Sequence, residues 1–148
     1  MTIRLQERKG WLNMKVLIDT NVVLDVLCKR EGFYEDAARI MKYCEVNKIT
    51  GVISALTIPN IVYIMRKELD AQKTRDVIEK LQLVFTVADL KADDIKKALS
   101  MDFKDFEDAL QSACASRIKA DYIITRNIRD FVNSKVTAIK PTELLERI

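Results

Sequence analysis

Histidine is absent from all 148 residues of this chain. That removes the serine and cysteine triads that depend on it, histidine zinc sites and imidazole acid/base chemistry. Hydrolysis by such a chain has to lean on carboxylates and a metal. Cysteine is scarce: Cys28, Cys44 and Cys114 are far apart and form no CxxC pair. Neither a disulfide framework nor a zinc site is expected, but three reduced, mostly buried thiols in a cytoplasmic protein. Three glycines and two prolines leave no flexible linker, and no internal repeat or low-complexity segment is present. No apolar run reaches the roughly twenty residues of a membrane span, and the opening MTIRLQERKGWLN lacks the apolar middle of a signal peptide. A soluble, intracellular chain without membrane contact is expected.

What is present is a 49% apolar chain of domain size, enough to bury a core without staples. Its net charge of +3 permits nucleic acid as a partner without demanding it.

Residues 1–13 share no periodicity with the rest of the chain, and the pattern starts abruptly at Met14. We read 1–13 as an N-terminal extension, with Met14 as the natural start, and 14–148 as a single domain. Lys15 to Ile18 reads as a short apolar strand running into a helix over 20–30, the opening of a βαβ unit. Helical spacing recurs over 34–47, 57–68, 71–82, 91–99, 105–119 and 141–147, with a short turn of helix near 127–131. Strands are expected at 51–54, 83–87 (LVFTV), 121–125 and, weakly, 136–139. Pro59 fits only the first turn of its helix. The alternation predicts a three-layer α/β/α sandwich with a mainly parallel sheet of four to five short strands.

In such sheets the ligand crevice lies outside the carboxyl ends of the strands, and three polar clusters fall there. The first is Asp19, Thr20 and Asn21, where an N-cap is the plain alternative to a metal ligand. Asp25, more than a turn and a half further on, reads as a surface acid. The second is DFKDFEDALQSACASR, residues 102–117, whose apolar stripe is Phe106, Ala109, Leu110, Ala113 and Cys114. At 100° per residue Asp108 falls nearly opposite that stripe, with Asp105 and Ser112 beside it. An acidic first turn capped by Asp105 explains part of this without function. The third is ITRNIRDF, residues 124–131, ending a buried strand in Thr125, Arg126, Asn127 and then Asp130, where a capped turn is the plain reading. Their coincidence at one sheet edge favours a cation, because carboxylates brought together repel and stay ionised chiefly when a divalent ion neutralises them. Mg²⁺ or Mn²⁺ takes such oxygen ligands and suits phosphodiester hydrolysis.

MKVLIDTNVVLD, ISALT, DFEDALQSA and YIITRNIRDF, in this order over residues 14–131, resemble the PIN domain family, a likeness covering nearly all the chain after Met14. The resemblance implies a metal-dependent ribonuclease, in prokaryotic chains of this size largely the VapC-type toxin of a toxin and antitoxin pair. It implies Asp19, Asp108 and Asp130 as catalytic and metal-binding acids, with Asn21, Thr125 and Asn127 orienting water and ligands. Where the family usually has a glutamate, early in the helix after the second strand, this chain has Asn60. An amide oxygen can ligate a cation but brings no charge; Asp105 is the carboxylate placed to compensate, and Glu68 lies too far along. Ser112 completes the supporting polar set.

Arg126 and Arg129, with Lys29 and Arg30, are the candidates for phosphate contact, each with solvated surface charge as its plain alternative. No base-stacking platform stands out among Phe33, Tyr34, Phe106, Tyr122 and Phe131. RNA and a cognate antitoxin are the expected partners, with a homodimer left open. Two other readings are carried. One is a PIN fold that binds RNA or protein without cleaving, motivated by Asn60. The other is a phosphotransfer protein, disfavoured because Asn21 stands where an aspartate-nucleophile phosphatase needs its second acid.

Overall fold

The computed structural model describes residues 14–148; the expectation about residues 1–13 lies outside them. Strand β1 (Lys15–Ile18) leads into α1 (Thr20–Leu27) and α2 (Tyr34–Glu45), then β2 (Thr50–Ser54), α3 (Thr57–Ile64) and α4 (Ala71–Val84). Next come β3 (Thr86–Ala88), α5 (Ala92–Ser100), α6 (Phe106–Arg117), β4 (Tyr122–Ile124), a 3-10 turn (Ile128–Phe131), β5 (Ala138–Ile139) and α7 (Pro141–Arg147). The five strands are ordered β3-β2-β1-β4-β5, and every pairing is parallel.

Alternation along each strand divides the core between two faces. Val16, Ile18, Ile53 and Ile124 pack on one side with Val22, Val23, Ile40 and Leu144 from the helices. Leu17, Val52 and Ile123 pack on the other, against Cys114 and Ala115 of α6. This is the sandwich that the sequence pattern predicts. At Gly51 a Cβ would collide with the buried Cys44 side chain and with Phe85, so α2 lies on β2 at a distance only glycine allows.

Several expected boundaries move, among them the end of α3, which stops at Ile64 rather than residue 68. LVFTV does not begin a strand: Leu83 and Val84 finish α4, which buries Leu81 and Val84 and leaves Leu83 85% exposed. Strand β3 starts only at Thr86. A short apolar run fits either period, and here the i, i+3 contact prevails. Helix α1 ends at Leu27 rather than at residue 30, because Lys29 takes a left-handed backbone (φ 47°).

The order of the strands reverses at β1, which has β2 on one side and β4 on the other. The carboxyl ends of β1 and β4 therefore form the switch point where open α/β sheets bind ligands. Asp19 and Thr125 are the next residues at those two ends, and the Asp19 N–H donates to the Ile124 carbonyl at 2.9 Å.

Candidate active site

Asp19 occupies the N-cap position of α1, yet its side chain makes no capping hydrogen bond there. Its carboxylate instead accepts from Gln111 Nε2 at 3.0 Å and from the Thr125 hydroxyl at 2.9 Å. Only 5% of the residue is exposed. Burial pushes its carboxyl above the usual range, opposed by the bonds from Thr125 and Gln111, the Thr20 backbone and the charge on Arg126. Thr125 is itself fixed, because its oxygen accepts from the Asn127 N–H at 3.1 Å. Three segments distant in sequence thus orient one carboxylate.

Asp105 does cap a helix. It is the N-cap of α6 and accepts from the Asp108 N–H at 3.1 Å, fixing the first turn that carries Asp108. Burial pushes the Asp108 carboxyl up to about 7, and the negative charges of Asp105, Asp19, Asp130 and Glu107 add to the rise. Four carboxylates acting on a fifth describe a common field of negative potential. They line one cavity of about 330 Å³, together with Thr20, Asn21, Asn60, Tyr63, Ile64, Gln111 and Asn127. A second hollow shares Asp105, Asp108 and Asp130 and extends past Lys104, Arg129 and Asn133, so the acids lie within a longer groove.

The donor chemistry around the cavity is carboxylate and amide oxygen, the set a hard divalent cation prefers. Among the described residues, no three His, Cys, Asp or Glu side chains converge closely enough to form a ready cage.

Of the residues singled out from sequence, Asp19, Asp105, Asp108, Asp130, Asn21, Asn60 and Asn127 line this one cavity, and Thr125 buttresses Asp19 from behind. Ser112 is placed elsewhere: it is fully buried and its hydroxyl donates to Ser134 Oγ at 2.7 Å. The simple amphipathic pattern fails because Ala109 through Ala115 are all buried, while Phe106 of the supposed stripe is 47% exposed.

Asp25 is a correction. It is 1% exposed rather than a surface acid, with Arg126 Nη2 donating to it at 3.1 Å and Arg126 Nε at 2.9 Å from its other oxygen. Arg30 reaches the same carboxylate at 3.4 Å. The Arg126 guanidinium also lies 3.9 Å over the Phe33 ring. Arg126 and Arg30 are therefore paired with Asp25 while remaining partly exposed, and Arg126 lines a further hollow with Arg129 and Asp130.

Four cavity residues escape a reading of the sequence, Ile64 among them. Gln111 lies on the buried side of α6; Glu107 accepts from Asn60 Nδ2 at 3.3 Å; Tyr63 shares the Asn60 face of α3. The position of Glu107 in the acidic first turn of α6 was the one usable signal among them.

The sequence profile described as PIN domain matches residues 15–129. No curated protein sequence matches the chain. Among solved structures, FitAcB from Neisseria gonorrhoeae is similar at a TM-score of 0.64 and 19% identity, over 86% of this chain and 98% of that one. A toxin-antitoxin complex from Klebsiella pneumoniae aligns at 0.65 and 22% identity, over 85% and 97%. VapC20 from Mycobacterium tuberculosis, described as a sarcin-ricin loop cleaving toxin, aligns at 0.58 and 14% identity, over 73% and 86%. Likeness at these identities speaks for the fold.

Proposed function

Because the chain belongs to the PIN domain family, we propose that it is a divalent-cation-dependent endoribonuclease and the toxin of a toxin and antitoxin pair in the cytoplasm. The observation that carries the reading is the one cavity lined by Asp19, Asp105, Glu107, Asp108 and Asp130, where burial and the neighbouring charges push the Asp108 carboxyl up to about 7. A carboxylate in that condition calls for a positive charge, and none of the described residues forms an ion pair with Asp108.

Asp19, Asp108 and Asp130 would hold the cation, with Asp105 beside them. When bound, it neutralises the clustered charge and acts as a Lewis acid toward the phosphodiester. Thr125 and Gln111 hold the Asp19 carboxylate in one orientation by two hydrogen bonds. Asp105 fixes the backbone of Asp108, so neither acid has to be ordered when substrate arrives. Asn21 and Asn127 offer amide groups along the cavity wall to water or to the sugar-phosphate chain. Arg129 lines the adjoining hollow with Asp130 and would make a phosphate contact that positions the strand without reading its sequence.

Asn60 replaces the family's usual glutamate, and the bond from its amide to Glu107 brings a carboxylate from α6 to that side of the cavity. Glu107 is thus a compensating acid that the sequence pattern did not suggest. A cognate antitoxin is the partner this reading expects, since one of the similar structures is a toxin-antitoxin complex.

Purified protein is expected to cleave RNA with Mg²⁺ or Mn²⁺, and Asp19→Asn or Asp108→Asn to lower the rate by roughly 10²- to 10³-fold, as loss of a preorganised electrostatic group does. Equal cleavage by the parent and both variants, in preparations free of contaminating nuclease, would sink the mechanism. The departure at Asn60 supports a second reading, a PIN fold that binds without cleaving, which expects no divalent-ion binding by calorimetry.

A further inference from the structure

Helix α3 presents two faces. Ile61 is fully buried and Met65, just past the helix end, lies 9% exposed in the same core. Asn60, Tyr63 and Ile64, spaced i, i+3 and i+4, line the acidic cavity together. Tyr63 is 66% exposed and Ile64 47%. An aromatic and an aliphatic side chain thus stand side by side, exposed, on the wall of a charged cavity.

Tyr63 is also held in place. The Arg66 guanidinium lies 4.3 Å from the ring centroid and its Nη1 donates to the Tyr63 carbonyl at 2.8 Å. One face of the ring is thereby covered by a cation, and with most of the residue exposed the other is open to solvent. Stacking of this kind restrains the ring before any ligand arrives. Tyr63 and Ile64 share one cavity with the acids, and the adjoining hollow, which shares Asp105, Asp108 and Asp130, is lined by Lys104 and Arg129. A membrane or a purely apolar ligand does not match an aromatic ring set beside carboxylates and cations; a single nucleic-acid strand, with bases to stack and phosphates to pair, does.

Resting on the nuclease reading above, we propose that Tyr63, backed by Arg66, is the shelf on which one unpaired base stacks next to the scissile phosphate, so that the groove takes single-stranded substrate. Stacking of a base on an aromatic side chain is tolerant of sequence, because every base has a π-face. A base paired in a duplex has no face free for the ring, so a helical substrate has to open before it fits. Tyr63 is a specificity-determining residue on this account, and the phosphodiester chemistry stays with the acids.

The test uses single-stranded RNA oligonucleotides carrying 2-aminopurine at successive positions, with the full chain in an Asp108→Asn background so that the strand stays intact. Quenching at one or two positions is expected on binding. It is kept in Tyr63→Phe and lost in Tyr63→Ala, which should bind about tenfold more weakly. In the parent background Tyr63→Ala should raise KM by a similar factor with little change in kcat, and a duplex of the same sequence should compete poorly. Because Tyr63 is exposed, the melting temperature of Tyr63→Ala serves as the check on folding and should not move. Binding and quenching by Tyr63→Ala equal to the parent would overturn the shelf and leave the nuclease reading standing. Loss of association with a co-expressed protein, with RNA binding intact, would likewise overturn it and give the surface to a protein partner. Failure of the parent itself to bind any RNA would overturn both readings.

Discussion

Two of the aspartates turned into this protein have an arginine against them, and two do not. Asp94 is fully buried, and Arg117 donates to it through Nε at 2.9 Å and Nη2 at 3.1 Å. Burial alone would raise the Asp94 carboxyl, but the bonds from Arg117, the Lys91 N–H and the nearby charges of Arg117 and Lys97 hold it below the usual range. Asp25 has Arg126 and Arg30. Asp19 and Asp108, along the strand ends, form no ion pair among the described residues, and their carboxyls are raised. Two buried acids of this fold are matched by an arginine, and at one edge of one sheet no described arginine forms such a pair with Asp19 or Asp108. A carboxylate whose counter-charge is internal serves the fold; one left to find its counter-charge outside is available to a ligand.

The largest effect is expected where the internal pairing is broken. Arg117→Met leaves Asp94 buried without a partner and should cost about 3–5 kcal/mol, measured by urea denaturation. Asp94→Asn in the same chain should recover part of the loss. A cost under about 1 kcal/mol would place this pair with ordinary surface bridges and erase the distinction between the two kinds of acid.

Next comes the counter-charge from outside. Mg²⁺ at about one hundred times its Kd should stabilise the parent by roughly 2.7 kcal/mol, seen as a rise in melting temperature. The rise should be largely lost in Asp108→Asn and retained in Arg117→Met. An equal rise in Asp108→Asn would mean that the ion binds elsewhere.

The smallest effect has an unusual sign. Without divalent ions, Asp108→Asn should make the protein more stable above pH 7, by about 1 kcal/mol once solvent screening of this half-buried group is allowed for. With its carboxyl pushed up to about 7, the folded state holds a proton that the unfolded state has released, so the parent loses stability as pH rises from about 4 to 7. The gain from Asp108→Asn should therefore fade as pH falls through that window. Asp94 contributes with the opposite slope: its carboxyl is lowered, so its stabilisation is present above the unfolded value and is lost as pH falls through the folded one. A gain from Asp108→Asn that does not change with pH would exclude charge repulsion as its origin.

Much of the site was legible because the strand ends are. An apolar run that stops at Ile18 and another that stops at Ile124 locate Asp19 and Thr125, and parallel topology then brings those ends together. The helix carrying Asp105 and Asp108 was legible from its acidic first turn. Ser112 and Phe106 were not, because α6 is covered on most of its circumference and a one-sided stripe no longer describes it. Asp25 misled for a related reason: a carboxylate on a helix looks solvated until the segment after β4 delivers Arg126 to it, 101 residues later.

The sequence by itself determined the order of strands and helices, the parallel sheet and the edge at which Asp19, Asp108 and Asp130 gather. These follow from local periodicity and from the rules of chain connection, which need no knowledge of distant neighbours. Only the tertiary structure decided which acids receive an arginine, that Gln111 and Thr125 hold Asp19, that Glu107 meets Asn60, and that Tyr63 stands open beside them. Those are pairings between segments far apart in the chain, and the energy of a buried charge depends on the partner that arrives rather than on its own place in the sequence.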